Sequence, residues 1–305
     1  VQYDIDPERV VITEPVPGSE YPVHLMYVEL LDGVYAPVGL RTPGGAGPHP
    51  TVLLGRGNGG GGMAWVREAT RNMGCIQERL LAAGYACAWL RYRAEVELGY
   101  NNGGRLVEDI RQGRQLLNRS PLEYEDEIAI IEYMKTLPGV NGERIGLMGV
   151  SHAGEMILKL TSEYGGARAC VACEPASHEF LDLAPDDTAF VNEETQLRNI
   201  EGMMMQEVEK VRARINEELA LRRIRSIETP ILIMGRDEDH LQGIFRATYD
   251  LMVEAGRDVE WASYDHPMHG YIYPERGENG EYAVDDTQEA AIAKCIAYLD
   301  KYMKN

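Results

Sequence analysis

A serine set between small residues, Gly149-Val150-Ser151-His152-Ala153-Gly154, stands where an apolar run gives way to an amphipathic one, a place from which a hydroxyl can act as a nucleophile. Arg144 to Met148 reads as a short buried strand, and Glu155 to Leu160 as a helix with Met156, Ile157 and Leu160 on one face. Ser151 then occupies the turn between them. So sharp a turn strains its central residue and brings strand and helix so close that the positions two before and two after must be small. Gly149 and Ala153 meet that demand. The strain would lift the hydroxyl clear of the backbone and aim the first helical amides at the point where an oxyanion forms.

A serine nucleophile needs a base from a loop at the same sheet edge. Val259 to Tyr264 reads as a strand running into Asp265-His266-Pro267-Met268-His269-Gly270-Tyr271. Of seven histidines His269 is best placed; His266 is the nearest rival, but Pro267 restrains its backbone and the small Gly270 follows only His269. An acid that orients the base is offered by Arg236-Asp237-Glu238-Asp239-His240, directly after the buried strand Pro230 to Met234 and the turn at Gly235. Asp237 and Asp239 compete for that role.

Serine, then acid, then histidine is the order of the α/β-hydrolases. The chain resembles that family, and within it the single-domain dienelactone hydrolase and prolyl-oligopeptidase-like branch. Besides the nucleophile turn, the resemblance rests on Pro50 to Gly60, Gly84 to Arg93, Pro230 to Asp239 and His269-Gly270-Tyr271, and so covers most of the chain. Where relatives carry His-Gly in the first of these, Arg56-Gly57 stands here, and Ala153 replaces the motif's last glycine. Neither change removes a catalytic atom.

The resemblance implies a Ser151, Asp237, His269 triad and an oxyanion hole made by the backbone N–H groups of Asn58 and His152. Counting back from the Ala255-Gly256 cap and His269 favours Asp237, although the usual Gly-x-x-Asp spacing would land on Glu238. The losing aspartate reads as a helix N-cap before Leu241 and Ile244. Gly59, Tyr92, His178 and Met204 are the residues expected to line the substrate pocket. The implied reaction is hydrolysis of a carboxylic ester through an acyl-enzyme, with no cofactor and no metal. Peptidase relatives generally carry a propeller domain, and the 50 residues before Thr51 are too few to build one. Peptide or acyl-amide cleavage is therefore the alternative, and a non-catalytic binding protein on the same fold a more distant one.

Composition agrees with such an enzyme. Forty-four per cent apolar residues fill one large core, and 30 basic against 49 acidic residues give a net charge of −19, which argues against a nucleic-acid surface. No run approaches the roughly 18 to 20 apolar residues of a membrane span. The chain has no N-terminal apolar segment with a basic flank and no initiator Met, so it is expected to be cytoplasmic or exported with a leader removed. Five cysteines form no disulfide framework. Cys170 and Cys173 have metal-like spacing, but in a strand their odd offset sends the sulfurs to opposite faces.

Positioning these residues falls to a single α/β-hydrolase domain over 1–305, a mostly parallel sheet with helices on both faces. Residues 1–50 read as antiparallel edge strands. Strands are expected at 51–55, 85–90, 144–148, 168–173, 230–234 and 258–263. Helices are expected at about 66–83, 121–136, 154–163, 241–255 and 286–303, the last carrying the stripe Ile292, Cys295, Ile296, Leu299 and Met303. Two segments interrupt the alternation: Glu95 to Arg119, and Glu174 to Ile227, which is expected to form a helical lid. Its Met203-Met204-Met205 admits two readings, an adaptable surface for an acyl or aryl group or plain core.

Overall fold

The computed structural model describes residues 11–31, 33, 35–57, 62–91, 119–183, 202 and 204–304, with the backbone alone for 119–122. Among these residues nine strands form one sheet in the order β1-β2-β3-β5-β4-β6-β7-β8-β9. β1 (Ile12–Glu14), β2 (Val23–Glu29) and β3 (Tyr35–Arg41) make an antiparallel edge, which joins β5 (Ala86–Leu90) antiparallel. β5, β4 (His49–Gly55), β6 (Val140–Val150), β7 (Ala169–Cys173), β8 (Ile231–Arg236) and β9 (Val259–Tyr264) run parallel. The central strands are apolar along their length because helices cover both faces. Two clusters of buried side chains, one on each face, make the core. Cys170 belongs to one and Cys173 to the other, as the strand alternation requires.

This order fixes where a ligand can sit. From β4 the chain goes to β5 on one side, and from β6 to β7, β8 and β9 on the other. The topological switch therefore lies between β4 and β6, and open α/β sheets bind ligands outside the carboxyl ends of their strands at such a point. The loop after Gly55 and the turn at Ser151 occupy that position.

The helix expected at 66–83 is two helices, α1 (Gly62–Asn72) and α2 (Cys75–Ala82). Tertiary contacts cause the break: the carbonyls of Arg71 and Asn72 accept from Arg276 and Tyr282 of a distant loop. A side chain at Gly74 would come within 2.5 Å of the Thr70 carbonyl and the Tyr282 hydroxyl. The other helices are α3 (Arg119–Lys135), α4 (His152–Glu163), α5 (Val208–Arg212), α6 (Glu217–Ser226), α7 (Gln242–Glu254) and α8 (Asp286–Met303). α8 starts with a capping box between Asp285 and Gln288 and buries Ile292, Cys295, Leu299 and Met303.

Close packing of α4 on the sheet gives a first prediction. A Cβ at Gly149 would lie 2.5 Å from the carbonyl oxygen of Ala153, a backbone atom that cannot swing away. Gly149→Ala is expected to cost about 1–3 kcal/mol by overpacking. Urea unfolding checks it; an unchanged midpoint would mean that α4 stands further from β6.

Candidate active site

Ser151 sits between β6 and α4 with φ 61° and ψ −118°, outside the regions that L-residues ordinarily occupy. The turn is tied to β7 on both sides. The Ser151 N–H donates to the Cys173 carbonyl (2.9 Å), and its own carbonyl accepts from Glu155 (3.1 Å) and Ala176 (3.3 Å). Small residues admit this proximity: a Cβ at Gly154 would meet the Cys173 carbonyl at 3.0 Å, and one at Gly55 would meet Ala153 at 2.8 Å. The loop after β4 also reaches Ser151, since a Cβ at Gly57 would lie 3.5 Å from its hydroxyl. The Gly57 carbonyl is fixed by Arg91 (3.0 Å).

His152 is the first residue of α4, so its N–H precedes the helical ladder. Its imidazole turns inward to the buried Glu123 at 2.8 Å. Glu127 lies in the same buried group, where desolvation, opposed by His152 and reinforced by Glu123, pushes its carboxyl up to about 8. Asn58, the other expected oxyanion donor, and the pocket candidates Gly59 and Tyr92 lie outside the described residues.

His269 is carried to the same edge by the loop after β9. Gly270, with φ +74°, brings the loop against Val150, where a Cβ would approach the valine within 3.2 Å. Two buried tyrosines then fasten it: the Tyr271 hydroxyl donates to the Gly235 carbonyl (2.7 Å) and the Tyr273 hydroxyl to the Met148 carbonyl (2.8 Å). The rival His266 is committed elsewhere, its Nδ1 accepting from the Met268 N–H and its Nε2 bonded to Asp285.

The acid in contact with His269 is Glu174, not Asp237. Glu174 directly follows β7 with φ 48° and is fully buried; its Oε2 lies 3.3 Å from Nδ1 of His269 and accepts from the Gly270 N–H at 2.6 Å. Asp237 is still bound to the edge of β9, its N–H donating to Tyr264 and its carboxylate accepting from the Ser263 hydroxyl. Glu238, at φ 59°, then turns the chain back, so that Asp239 enters the site and Asp237 stays on the surface. Asp239 accepts from the Leu241 N–H at 2.7 Å, but this is a turn bond and not the helix N-cap expected of the losing aspartate, because α7 is capped at Leu241 without a side-chain bond.

Donor atoms of Glu174, Asp239 and His269 fall within 4.8 Å of one another. The cation among them is a side chain: Arg236 donates to Glu174 (2.9 Å) and to Asp239 (2.9 and 2.6 Å). Burial lowers its proton affinity, but the ion pairs with Asp239 and Glu174 outweigh that and hold it above the ordinary arginine range. Sequence reasoning missed Glu174. Its one signal was an acidic residue directly after the wholly apolar strand Ala-Cys-Val-Ala-Cys, at the sheet edge that carries Ser151.

His178 is held to the Ala176 carbonyl and lies 3.7 Å from Glu155, so its ring serves a buried charged group. Met204 is 7% exposed and packs in the core beneath α7, whereas Met205 is 47% exposed. Met205 lines a pocket of about 380 Å³ with Glu207, Lys210, Asp239, His240 and Arg246. Met203 lies outside the described residues.

A family model described as the C-terminal domain of BAAT and acyl-CoA thioester hydrolases matches residues 121–255, a span that holds Ser151, Glu174 and Asp239 and stops before His269. Comparison with curated proteins finds no match. Among solved structures, an acylaminoacyl peptidase of Pyrococcus horikoshii is similar with TM-score 0.61 at 13% identity, over 94% of this chain and 42% of that one. The chain thus spans less than half the length of that peptidase. Acetyl xylan esterase 1 of Thermoanaerobacterium matches with TM-score 0.57 at 18% identity, over 88% of this chain and 85% of its own. An esterase of Pyrobaculum calidifontis matches with TM-score 0.58 at 13% identity, over 94% of this chain and 86% of its own. Among the described residues no helix is long and apolar enough to cross a membrane. The sheet order, the strained serine between β6 and α4 and these likenesses together make the chain an α/β-hydrolase by fold.

Proposed function

We propose that the protein is a serine hydrolase that transfers an acyl group from a carboxylic ester to Ser151 and then to water. The observation that carries this reading is the backbone of Ser151, held at φ 61° beside a histidine loop and a buried acid. Strain of this kind costs about 1–3 kcal/mol and persists where the surroundings enforce it, as they do at a nucleophile.

His269 presents Nδ1 to Glu174, which leaves Nε2 to take the proton of Ser151 as its Oγ attacks the carbonyl carbon. The Glu174 carboxylate holds the Nδ1–H tautomer and stabilises the imidazolium. The oxyanion is received by the amide of His152 and, by family pattern, that of Asn58. His269 returns the proton to the departing alkoxide. A water then gives its proton to His269, attacks the acyl carbon and releases the acid and the Ser151 hydroxyl.

An ester is the preferred substrate because the likeness to the two esterases runs through most of their length. The family-model match makes an acyl thioester the second reading. Labelling by a fluorophosphonate, with Ser151→Ala as control, tests the nucleophile. Rates on p-nitrophenyl acyl esters, acyl thioesters and aminoacyl-anilides rank the substrate classes. Absence of labelling in the native chain would defeat the hydrolase reading, and faster anilide cleavage would replace the ester by an amide.

Acyl preference is assigned to the Met205 side of the insertion. Met204→Ala is expected to lower stability by about 2–5 kcal/mol, the cost of truncating a buried methionine. Met205→Ala should leave Tm unchanged and shift the chain-length profile, with p-nitrophenyl acetate hydrolysed at the native rate. An unchanged profile would remove Met205 from the pocket.

A further inference from the structure

We propose that Arg236 is a positioning residue of this site, a single guanidinium that fixes His269 by holding the carboxylate behind its ring and the backbone leading to it. The catalytic consequence rests on the hydrolase reading; the structural one does not.

Arg236 ends β8 with a side chain only 14% exposed, and its nitrogens face three different segments. Nε donates to Oε1 of Glu174 at 2.9 Å. Nε and Nη2 donate to Oδ2 of Asp239 at 2.9 and 2.6 Å. Nη1 donates to the carbonyls of Pro267 at 2.8 Å and His266 at 3.4 Å, two and three residues before His269. The ends of β7 and β8 and the histidine loop therefore meet on one cation.

Without it, Glu174 and Asp239, 0% and 1% exposed, would stand as two buried carboxylates side by side with no counter-charge between them. With it, one oxygen of Glu174 is committed to the guanidinium and the other is left for the Gly270 N–H and the His269 ring. A planar fork is required, since an ammonium cannot span two carboxylates and two carbonyls in this geometry. Among the described residues, the charged groups around His269 are Glu174 directly after β7, Arg236 and Asp239 from β8 and its turn, and His240 beside Asp239 at 3.5 Å. Its own loop adds Asp265 and His266, the latter turned to Asp285.

Two variants of the full chain separate charge from shape. Arg236→Met removes both, and Arg236→Lys keeps the charge alone. The ring signal of His269, identified by its loss in His269→Gln, is followed by NMR titration, which needs no substrate. Taking a cation from the site strengthens its hold on a proton whichever atom binds it. The midpoint should move upward in Arg236→Met and stay near native in Arg236→Lys. Amide exchange over residues 266–270 should accelerate in both. On an ester both should lose kcat, by about 10²-fold for a misplaced base, with KM within a few-fold of native.

A native midpoint in folded Arg236→Met overturns the proposal. Should that variant not fold, native exchange over 266–270 in Arg236→Lys overturns it instead. Failure of the hydrolase reading looks different: the native chain then takes no phosphonate and cleaves no ester, while titration and exchange still distinguish the variants.

Discussion

Ser151→Ala and His269→Ala are each expected to abolish ester hydrolysis with the fold intact, and the double variant to be barely worse than either alone. Nucleophile and base act as one unit, so losing either leaves only what the oxyanion donors and substrate binding supply. The structure gives a reason for the fold to survive. The bonds that hold the serine turn are its backbone N–H to Cys173 and its carbonyl to Glu155 and Ala176, none of which uses the hydroxyl. Ser151→Gly extends the test. Glycine occupies φ 61° without steric cost, so this variant should be as inactive as Ser151→Ala yet more stable by about 1 kcal/mol or more. Circular dichroism melts beside p-nitrophenyl ester assays read both quantities. Residual turnover in Ser151→Ala above the rate of a heat-killed control would remove Ser151 from the chemistry.

The meeting of Ser151 and the His269 loop at one sheet edge was legible in the sequence because each is announced by local backbone demands. Small residues flank Ser151 where β6 must touch α4, and Gly270 is needed where the loop meets Val150 at positive φ. The parallel strands were legible for the same reason, being unbroken apolar runs between turn residues. The acid was not. Counting along the chain finds the acid after β8, but which carboxylate reaches a ring depends on side-chain direction, and two residues at positive φ set it here. Glu238 swings Asp239 inward and leaves Asp237 at the surface, while Glu174 turns back from the end of β7. No periodicity records such turns. The break between α1 and α2 was hidden likewise, because the groups that cause it, Arg276 and Tyr282, lie some two hundred residues away.

Glu174→Gln is expected to lower kcat by about 10³ to 10⁴, the scale seen when a triad acid is neutralised without loss of shape. Both carboxylate oxygens of Glu174 accept: Oε1 from Arg236, and Oε2 from the Gly270 N–H with Nδ1 of His269 beside it. A glutamine has one oxygen and one NH2. If the oxygen stays with Arg236, the NH2 faces Gly270 and the ring, and Nδ1 must become an acceptor, which puts the proton on Nε2 where it cannot receive the one from Ser151. If the oxygen turns to the ring, the NH2 opposes the guanidinium, a contact that moves Arg236 and with it the loop before His269. Either way the base is lost or displaced. Asp237→Asn, at an exposed residue bonded to the Ser263 hydroxyl and the edge of β9, should stay within about two-fold of native activity. Asp239→Asn should fall between, since it weakens the grip on Arg236 without meeting the ring in the same way. Steady-state kinetics of the three variants, each with its melting temperature, rank them. A greater loss in Asp239→Asn than in Glu174→Gln, at equal stability, would move the role of the acid from the end of β7 to the turn after β8.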